Sequence, residues 1–478
     1  MATVLMTLPS WSQINGQIQG MPSGAVYNCS PGGQIAANLA DVKTLTAIGF
    51  VPVTNGVFSK IRRLAKTAWN NNPHSLGVMP SGTSPGDAPT IIVAAAFPPS
   101  GFASSGAGFS SVGLPPNLVL PGYPSMFGSA RLFGGYPSGE WNAVIQVADV
   151  AQSPASAATT FTGIVATPKS IALDGFQYRV EINADAAKVA IGIAGNDGGL
   201  WRFLVNDQYV SLNGQAINAS GNQSFILDFT SVGGRAIRKI AVEGERYDSF
   251  IGFAVQPTET LFPTRADDLL RMIVLGDSYT AGFSIANNTY GDSCFRVMGD
   301  YLGIRDIWTS GAPGTGYLQT TSTCTYTLRQ RLSDATSHNP DIIGFCMGQN
   351  DAGVFTPAQI QAEALAAMEA FRSTLPNTPL AVFGTFGENS GPSATMVAAE
   401  QAVQAAFNQW GDSNSIFIPL CTAASPILTG TGTVGAPTGS GNCDVYIVSG
   451  DVHPNAAGHI YMGKWLASAF LTASAGKM

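Results

Sequence analysis

After Pro263 the chain alternates short apolar runs with longer amphipathic ones, and no other feature restricts the fold as much. The apolar runs are "MIVLG" (272–276), "DIIGFCMG" (341–348), "LAVFGTFG" (380–387) and "SIFIPL" (415–420). Strands this uniformly apolar belong in a sheet covered on both faces. The stretches between them have a helical period. "TPAQIQAEALAAMEAFRSTL" begins with Thr356 as N-cap and Pro357 at the first helical position. Strand, helix, strand, helix predicts a parallel α/β sheet. Binding sites in such sheets lie beyond the carboxyl ends of the strands.

Four stretches at those ends carry residues suited to chemistry. "GDSYTAG" (276–282) follows the first strand and presents Ser278. "WTSGAPGTGY" (308–317) is dense in glycine, so its backbone N–H groups can approach a ligand. "GQND" (348–351) projects Asn350 and Asp351, and "SGDVHPNAAGH" (449–459) places His453 just before a helix. A serine hydroxyl is a poor nucleophile until a base takes its proton. Histidine, with an ordinary pKa near ~6.5, suits that task. The tetrahedral intermediate needs preorganised donors, and Asn350 offers a neutral one. An anion beside that position opposes catalysis, so Asp351 is expected to orient the loop instead.

In this order the four stretches resemble the sequence blocks of the SGNH (GDSL-type) hydrolases, over roughly residues 270 to 475. The resemblance implies a flavodoxin-like parallel sheet and a serine-ester hydrolase. It implies Ser278 as nucleophile and His453 as general base. The N–H of Ser278, the N–H of Gly314 and the amide of Asn350 form the implied oxyanion hole, with Gly311 and Gly316 close enough to compete for the middle role. In this family the acid precedes the histidine by three positions, where this chain has Gly450; Asp451 precedes it by two. Two arrangements fit. Asp451 reaches the ring through a tighter turn, giving a triad, or a main-chain carbonyl accepts the ring N–H, giving a dyad. Asp451 is the only acid within six residues upstream of His453, with Asp444 next, which favours the triad.

Other readings of these residues are weaker. A metal site built from Asp451, His453 and His459 is not expected, because their spacing puts the two histidines on different faces. His459 reads as a packed or surface residue. No cofactor is implied. "GTSPG" (82–86) fits a G-x-S-x-G elbow, but Pro85 lacks the N–H that such an elbow uses, so Ser84 is not the nucleophile.

Upstream, residues 1–60 read as a small module, with a short helix around "ADVKTLTAIG" followed by an extended stretch. This segment resembles modules of bacteriophage tail and virion proteins. Residues 61–130 are rich in Pro, Gly and Ser and read as connecting loops and short strands without a helical period. From 131 to 262 the period becomes two. In "FQYRVEIN", Phe176, Tyr178, Val180 and Ile182 alternate with polar residues. "LWRFLVNDQYVSL" gives Trp201, Phe203 and Val205, then a turn at Asn206-Asp207. Together these predict a β-sandwich or jelly-roll accessory domain before the hydrolase domain of 263–478. The β-rich part is expected to serve polymer recognition and to be dispensable for the chemistry.

The formal net charge is −7 and no basic run occurs, which argues against nucleic acid or an anionic membrane as partner. Charged residues make up 11% of the chain, against roughly 25% in ordinary soluble domains. That composition leans toward an extracellular or virion-associated protein. The first residues lack the basic and apolar parts of a secretory signal, and no apolar run reaches the ~18–20 residues of a membrane span. No CxxC pair occurs, and a Cys421–Cys443 disulfide across the Gly/Thr-rich stretch stays open.

The combined expectation is an esterase that removes O-acetyl groups from a polysaccharide or small ester. A homo-oligomer is compatible with it. The alternatives are a lipase or general short-chain esterase, and a carbohydrate-binding surface protein without activity.

Overall fold

The computed structural model describes residues 3–7, 16–29, 34–47, 51–52, 56–71, 88–96, 99–102, 131–133, 178–195, 200–206, 208–211, 214–216, 221–244, 249–256, 258–262, 270–282, 292–304, 306–322, 324–336, 340–432 and 441–477. Strands Thr3–Thr7, Gln34–Asn38 and Val51–Pro52 form an antiparallel sheet, beside a pair made by Gly16–Ile18 and Tyr27–Cys29. The expected helix is a 3-10 turn, Leu39–Asp41, running into Val42–Ala47. Asp41 is fully buried there and accepts the backbone N–H of Ser23 and the hydroxyl of Tyr27, each at 2.7 Å.

Helix α1 (Val57–Asn71) crosses the expected boundary at residue 60 and replaces the loop read for 61–71. Val57, Phe58, Ile61 and Ala65 recur at the spacing of one helix face, and all four are buried. That face packs on the C-terminal domain. The Phe58 ring lies 5.9 Å from Phe470, Trp69 lies 4.6 Å from Tyr301, and Arg62 donates to the Ser474 carbonyl. The Pro- and Gly-rich run after it masks this helix in a reading by composition. The residues of "GTSPG", Ser84 included, lie outside the described ones.

The middle of the chain is antiparallel. Its main strands are β1 (Thr90–Ala94), β2 (Tyr178–Ala186), β3 (Lys188–Gly195), β4 (Leu200–Val205), β5 (Gly221–Asp228), β6 (Ala236–Gly244) and β7 (Ser249–Val255). Strands β4, β6 and β2 are neighbours in one sheet; β7, β3, β5 and β1 form the other. Ile182, Ile191, Phe203, Phe225 and Val242 share one core, with the Phe203 and Phe225 rings 5.0 Å apart. The turn after β4 has Asn206 at φ 50°, and Val205 pairs with Gln208. Phe176 and Asp207 lie outside the described residues.

Strand β4 departs from a half-buried alternation, because Arg202 and Leu204 are buried too. Arg202 meets Asp292 of the next domain at 3.0 and 3.2 Å, and its Nε lies 3.6 Å from Glu243. A guanidinium withdrawn from water needs such partners.

The C-terminal sheet is parallel throughout. Its strands are β8 (Arg271–Gly276), β9 (Asp306–Gly311), β10 (Ile342–Cys346), β11 (Leu380–Phe383) and β12 (Ile416–Ile418), in the order β9-β8-β10-β11-β12. Four of the five fall in the apolar runs read from the sequence, and the order is the flavodoxin-like one. Helices α2 (Cys294–Leu302), α3 (Pro357–Thr374), α4 (Ala394–Trp410) and α5 (Ala456–Ala473) cover it. Alternate residues of β8 face opposite layers. Met272 and Val274 pack with α1, α2 and α5, while Ile273 and Leu275 pack with α3 and α4. Thr356 and Gln359 form a reciprocal capping box at the start of α3. His459 is fully buried in α5, and its Nδ1 accepts the Cys294 N–H that opens α2, at 3.3 Å.

Dispensability of everything before residue 263 does not fit this packing, since α1 and Arg202 both complete the C-terminal domain. Ile61→Ala should destabilise that domain by about 2–5 kcal/mol, the usual cost of such a cavity. Amide exchange in β8 and α5, followed through urea unfolding, should report the loss. Unchanged exchange there would separate α1 from that core.

Candidate active site

The first turn of the site follows β8. Gly276 closes it because a Cβ there would overlap the side chain of Thr280. Asp277 Oδ1 accepts the Tyr279 N–H at 3.0 Å, and the Asp277 carbonyl accepts that of Ala281, also at 3.0 Å. Ser278 sits at the head of this turn, nearly buried at 8% exposure. Its N–H and its hydroxyl have no hydrogen-bond partner among the described residues.

The second turn follows β9, the neighbour of β8. Its three candidate glycines differ physically. A Cβ on Gly311 would strike the backbone of Ala281, and one on Gly316 would strike the Asp351 carboxylate. Gly314 instead has φ +74°, a conformation that favours glycine. The N–H groups of Thr315 and Gly316 are bonded to Ala312 and Gln319, whereas that of Gly314 has no acceptor among the described residues.

Asp351, in the turn that follows β10, holds this loop, in line with its expected orienting role. It accepts the N–H groups of Tyr317 at 2.6 Å, Leu318 at 3.0 Å and Gln319 at 2.8 Å. Arg331, also fully buried, donates to the Gly276 carbonyl at 3.2 Å, to Thr315 Oγ1 at 3.1 Å and to the Ser310 carbonyl. It therefore ties the ends of β8 and β9 together.

Asn350 is less free than the sequence implies. Its amide nitrogen donates to the Thr315 carbonyl at 2.9 Å and makes a long contact of 3.4 Å with Asp277 Oδ2. Donation to a ligand has to displace the weaker of the two. Beside it, the Gln349 amide is buried with neither its nitrogen nor its oxygen hydrogen-bonded.

The last loop folds back on itself. Val448 N–H donates to the His453 carbonyl at 2.9 Å, and Asp451 N–H donates to the Val448 carbonyl at 3.0 Å. Gly450 turns this loop with φ +77°, so the position that carries the acid in the resembling family here suits glycine. Asp451 takes over the contact: its Oδ1 lies 2.9 Å from His453 Nδ1 and accepts the Val452 N–H at 2.6 Å. Burial pushes the Asp451 carboxyl up, but the Val452 N–H and the imidazole outweigh it and hold the group below the ordinary carboxylate value.

The structure thus brings Asp451 and His453 into contact and sets Ser278, Gly314 and Asn350 on adjacent strand ends. It shows no hydrogen bond between Ser278 and His453. Such contacts are often loose before a substrate is bound. Tyr279 links the two loops directly: its hydroxyl donates to the Val452 carbonyl, and its ring lies 5.8 Å from the imidazole. Arg331 and Tyr279 were not singled out from the sequence, because their partners are remote in the chain. Cys421 and Cys443 are free thiols, so the open question of a disulfide is answered against it here. Among the described residues no group of three or more His, Cys, Asp or Glu is disposed to hold a metal, and no helix is long and apolar enough to cross a membrane.

Burial pushes the Asp277 carboxyl up to about 7; the Tyr279 N–H and Arg331 oppose this, and Asp351 adds to it. A carboxyl raised in the folded state lends stability that is full below its ordinary value of 3.8 and is lost as pH rises through about 7. Asp277→Asn should therefore flatten the fall of Tm between pH 5 and pH 8 relative to the parent. An identical slope in both proteins would contradict the assignment.

Residues 274–460 match the family described as GDSL-like Lipase/Acylhydrolase. The chain matches no curated protein sequence. Among solved structures it is similar to the salicylyl-acyltransferase SsfX3 of a tetracycline biosynthetic pathway, at 12% identity and TM-score 0.52, over 73% of this chain and 96% of that one. It is also similar to a family two carbohydrate esterase from Clostridium thermocellum, at 16% identity and TM-score 0.44, over 63% and 94%. A third is a Corynascus thermopiles family 2 carbohydrate esterase with a carbohydrate binding domain, at 16% identity and TM-score 0.46, over 73% and 100%. Together with the parallel sheet and its strand-end site, the family match makes the C-terminal region of this chain a GDSL-like lipase/acylhydrolase domain.

Proposed function

We propose that the protein is a serine esterase that removes short acyl groups, acetyl foremost, from a polysaccharide. The observation that carries this reading is the pair of unengaged main-chain N–H groups, Ser278 and Gly314, on adjacent strand ends. A backbone donor left without an acceptor is costly in the buried turn of Ser278, less so at half-buried Gly314, unless a ligand uses it. In the proposed reaction His453 takes the Ser278 proton as the hydroxyl oxygen attacks the ester carbonyl. The oxyanion is held by the two N–H groups and by Asn350, whose long contact with Asp277 gives way. The protonated imidazole passes its proton to the departing sugar oxygen, leaving an acyl-Ser278. Water, deprotonated by His453, then releases the carboxylic acid and restores the serine. Asp451 fixes the tautomer through Nδ1 and stabilises the imidazolium.

The preference for acetyl rests on the polar loop around the site, including Thr315, Gln319, Thr320 and Thr321. The choice of a polymer rests on the antiparallel sheets packed against the catalytic domain, which we read as a sandwich accessory domain. An extracellular or virion-associated setting, with the small module before α1 as a separate unit, completes the reading.

Acetate release from a panel of acetylated glycans tests it. Ser278→Ala should abolish release, and Asp451→Asn should lower kcat/KM roughly 100-fold, about 2.7 kcal/mol, in folded protein. A Ser278→Ala protein with parental activity would sink the proposal. Asp451 variants within about fivefold of the parent would replace the triad by a dyad.

A further inference from the structure

We infer that Tyr279 is a positioning residue that locks the loop of the base to the turn of the nucleophile. The inference rests on the esterase reading above for its kinetic part only.

Tyr279 directly follows Ser278 and is almost fully buried. Its backbone is fixed by the Asp277 carboxylate, and its ring is stacked on Phe386 at 4.6 Å and 11°. Its hydroxyl donates to the carbonyl of Val452, the residue before His453, and lies 3.2 Å from the carbonyl of Gly387. The Val452 N–H in turn donates to the same Asp451 oxygen that meets His453 Nδ1. An unbroken chain of contacts therefore runs from the Ser278 backbone, through the phenol, to the carboxylate and the imidazole.

The turn gives this link a specific task. The loop of residues 447–454 is closed by its own backbone hydrogen bonds, and Gly450 at its tip has no neighbour within 4 Å of where a Cβ would stand. Closure alone fixes the shape of the loop but not its distance from Ser278. The phenol spans that distance as a rigid strut with only two side-chain torsions. Burial, reinforced by Asp277, Glu388, Cys443 and Asp451, holds its pKa well above the ordinary value, so the hydroxyl keeps its proton and remains a donor. Displacing a catalytic group by an ångström from remote contacts costs on the order of 100-fold in rate.

Tyr279→Phe keeps the ring and its stack and removes only the hydroxyl. Expected is a fall in kcat of about tenfold or more on a soluble acetyl ester, with KM within about threefold of the parent. Because Tyr279 acts through the Asp451–His453 pair, Tyr279→Phe/Asp451→Asn should fall no more than about threefold below Asp451→Asn alone. Hydrogen–deuterium exchange over residues 447–455 should rise about tenfold in Tyr279→Phe while the exchange of α3 and α4 stays parental. That last readout needs no ester turnover, so an inactive parent would count against the esterase reading and leave the lock to be judged by exchange. Parental exchange over 447–455, a kcat within threefold of the parent, or independent multiplication of the two defects would each overturn the inference.

Discussion

A single buried guanidinium holds the frame on which the site depends. Arg331 donates to the carbonyls of Gly276 and Ser310 and to Thr315, while its Nε lies 3.7 Å from Asp334. Those carbonyls belong to the last residues of β8 and β9, the two strands whose following loops carry Ser278 and Gly314. Hydrogen bonds to a charged group contribute roughly 1.5–3 kcal/mol each, and leaving a buried ion without its partner costs about 3–5 kcal/mol. Neither strand end can shift without exposing that cost. Two carboxylates do the same with opposite sign. Asp351 gathers three N–H groups of the loop after β9, and Glu400 gathers those of Thr385, Leu420, Cys421 and Thr422 after β11 and β12. The strand ends are thus held from within, and the loops that carry the proposed reactive groups follow them.

What was legible in the sequence follows from the range of the forces involved. Thr356, Pro357 and Gln359 act on one another across a single turn, so the start of α3 could be read directly. The strands β8, β10, β11 and β12 could be read because burial on both faces demands an unbroken apolar run. The partner of the imidazole was legible only as a choice between Asp451 and a main-chain carbonyl, because the fold of the turn at Gly450, with φ +77°, has no local signature. The structure puts Asp451 Oδ1 2.9 Å from His453 Nδ1. Arg331, Tyr279 and Arg202 had no local signature, because each is defined by partners many residues away. Helix α1 is different. Val57, Phe58, Ile61 and Ala65 carried its apolar stripe in plain view, but a boundary placed at residue 60 cut through it.

That boundary matters for how the molecule is understood. Phe58 and Ile61 are buried against the helices that cover one face of the parallel sheet, and Arg202 neutralises Asp292 two residues before α2. The segments before residue 263 therefore contribute core and charge to the domain that holds the site. An accessory role in polymer binding is compatible with this, provided that role is not tested by simple removal. Substitutions on solvent-facing positions of the antiparallel sheets separate recognition from folding; truncation does not.

The central claim is that Ser278 is the nucleophile, activated by His453 and Asp451. The most direct measurement is labelling of the folded protein with a fluorophosphonate, with the adduct located by tandem mass spectrometry. The account predicts one adduct, on Ser278, lost on denaturation and lost in a folded His453→Ala variant. An adduct on another residue, or equal labelling without His453, would contradict it.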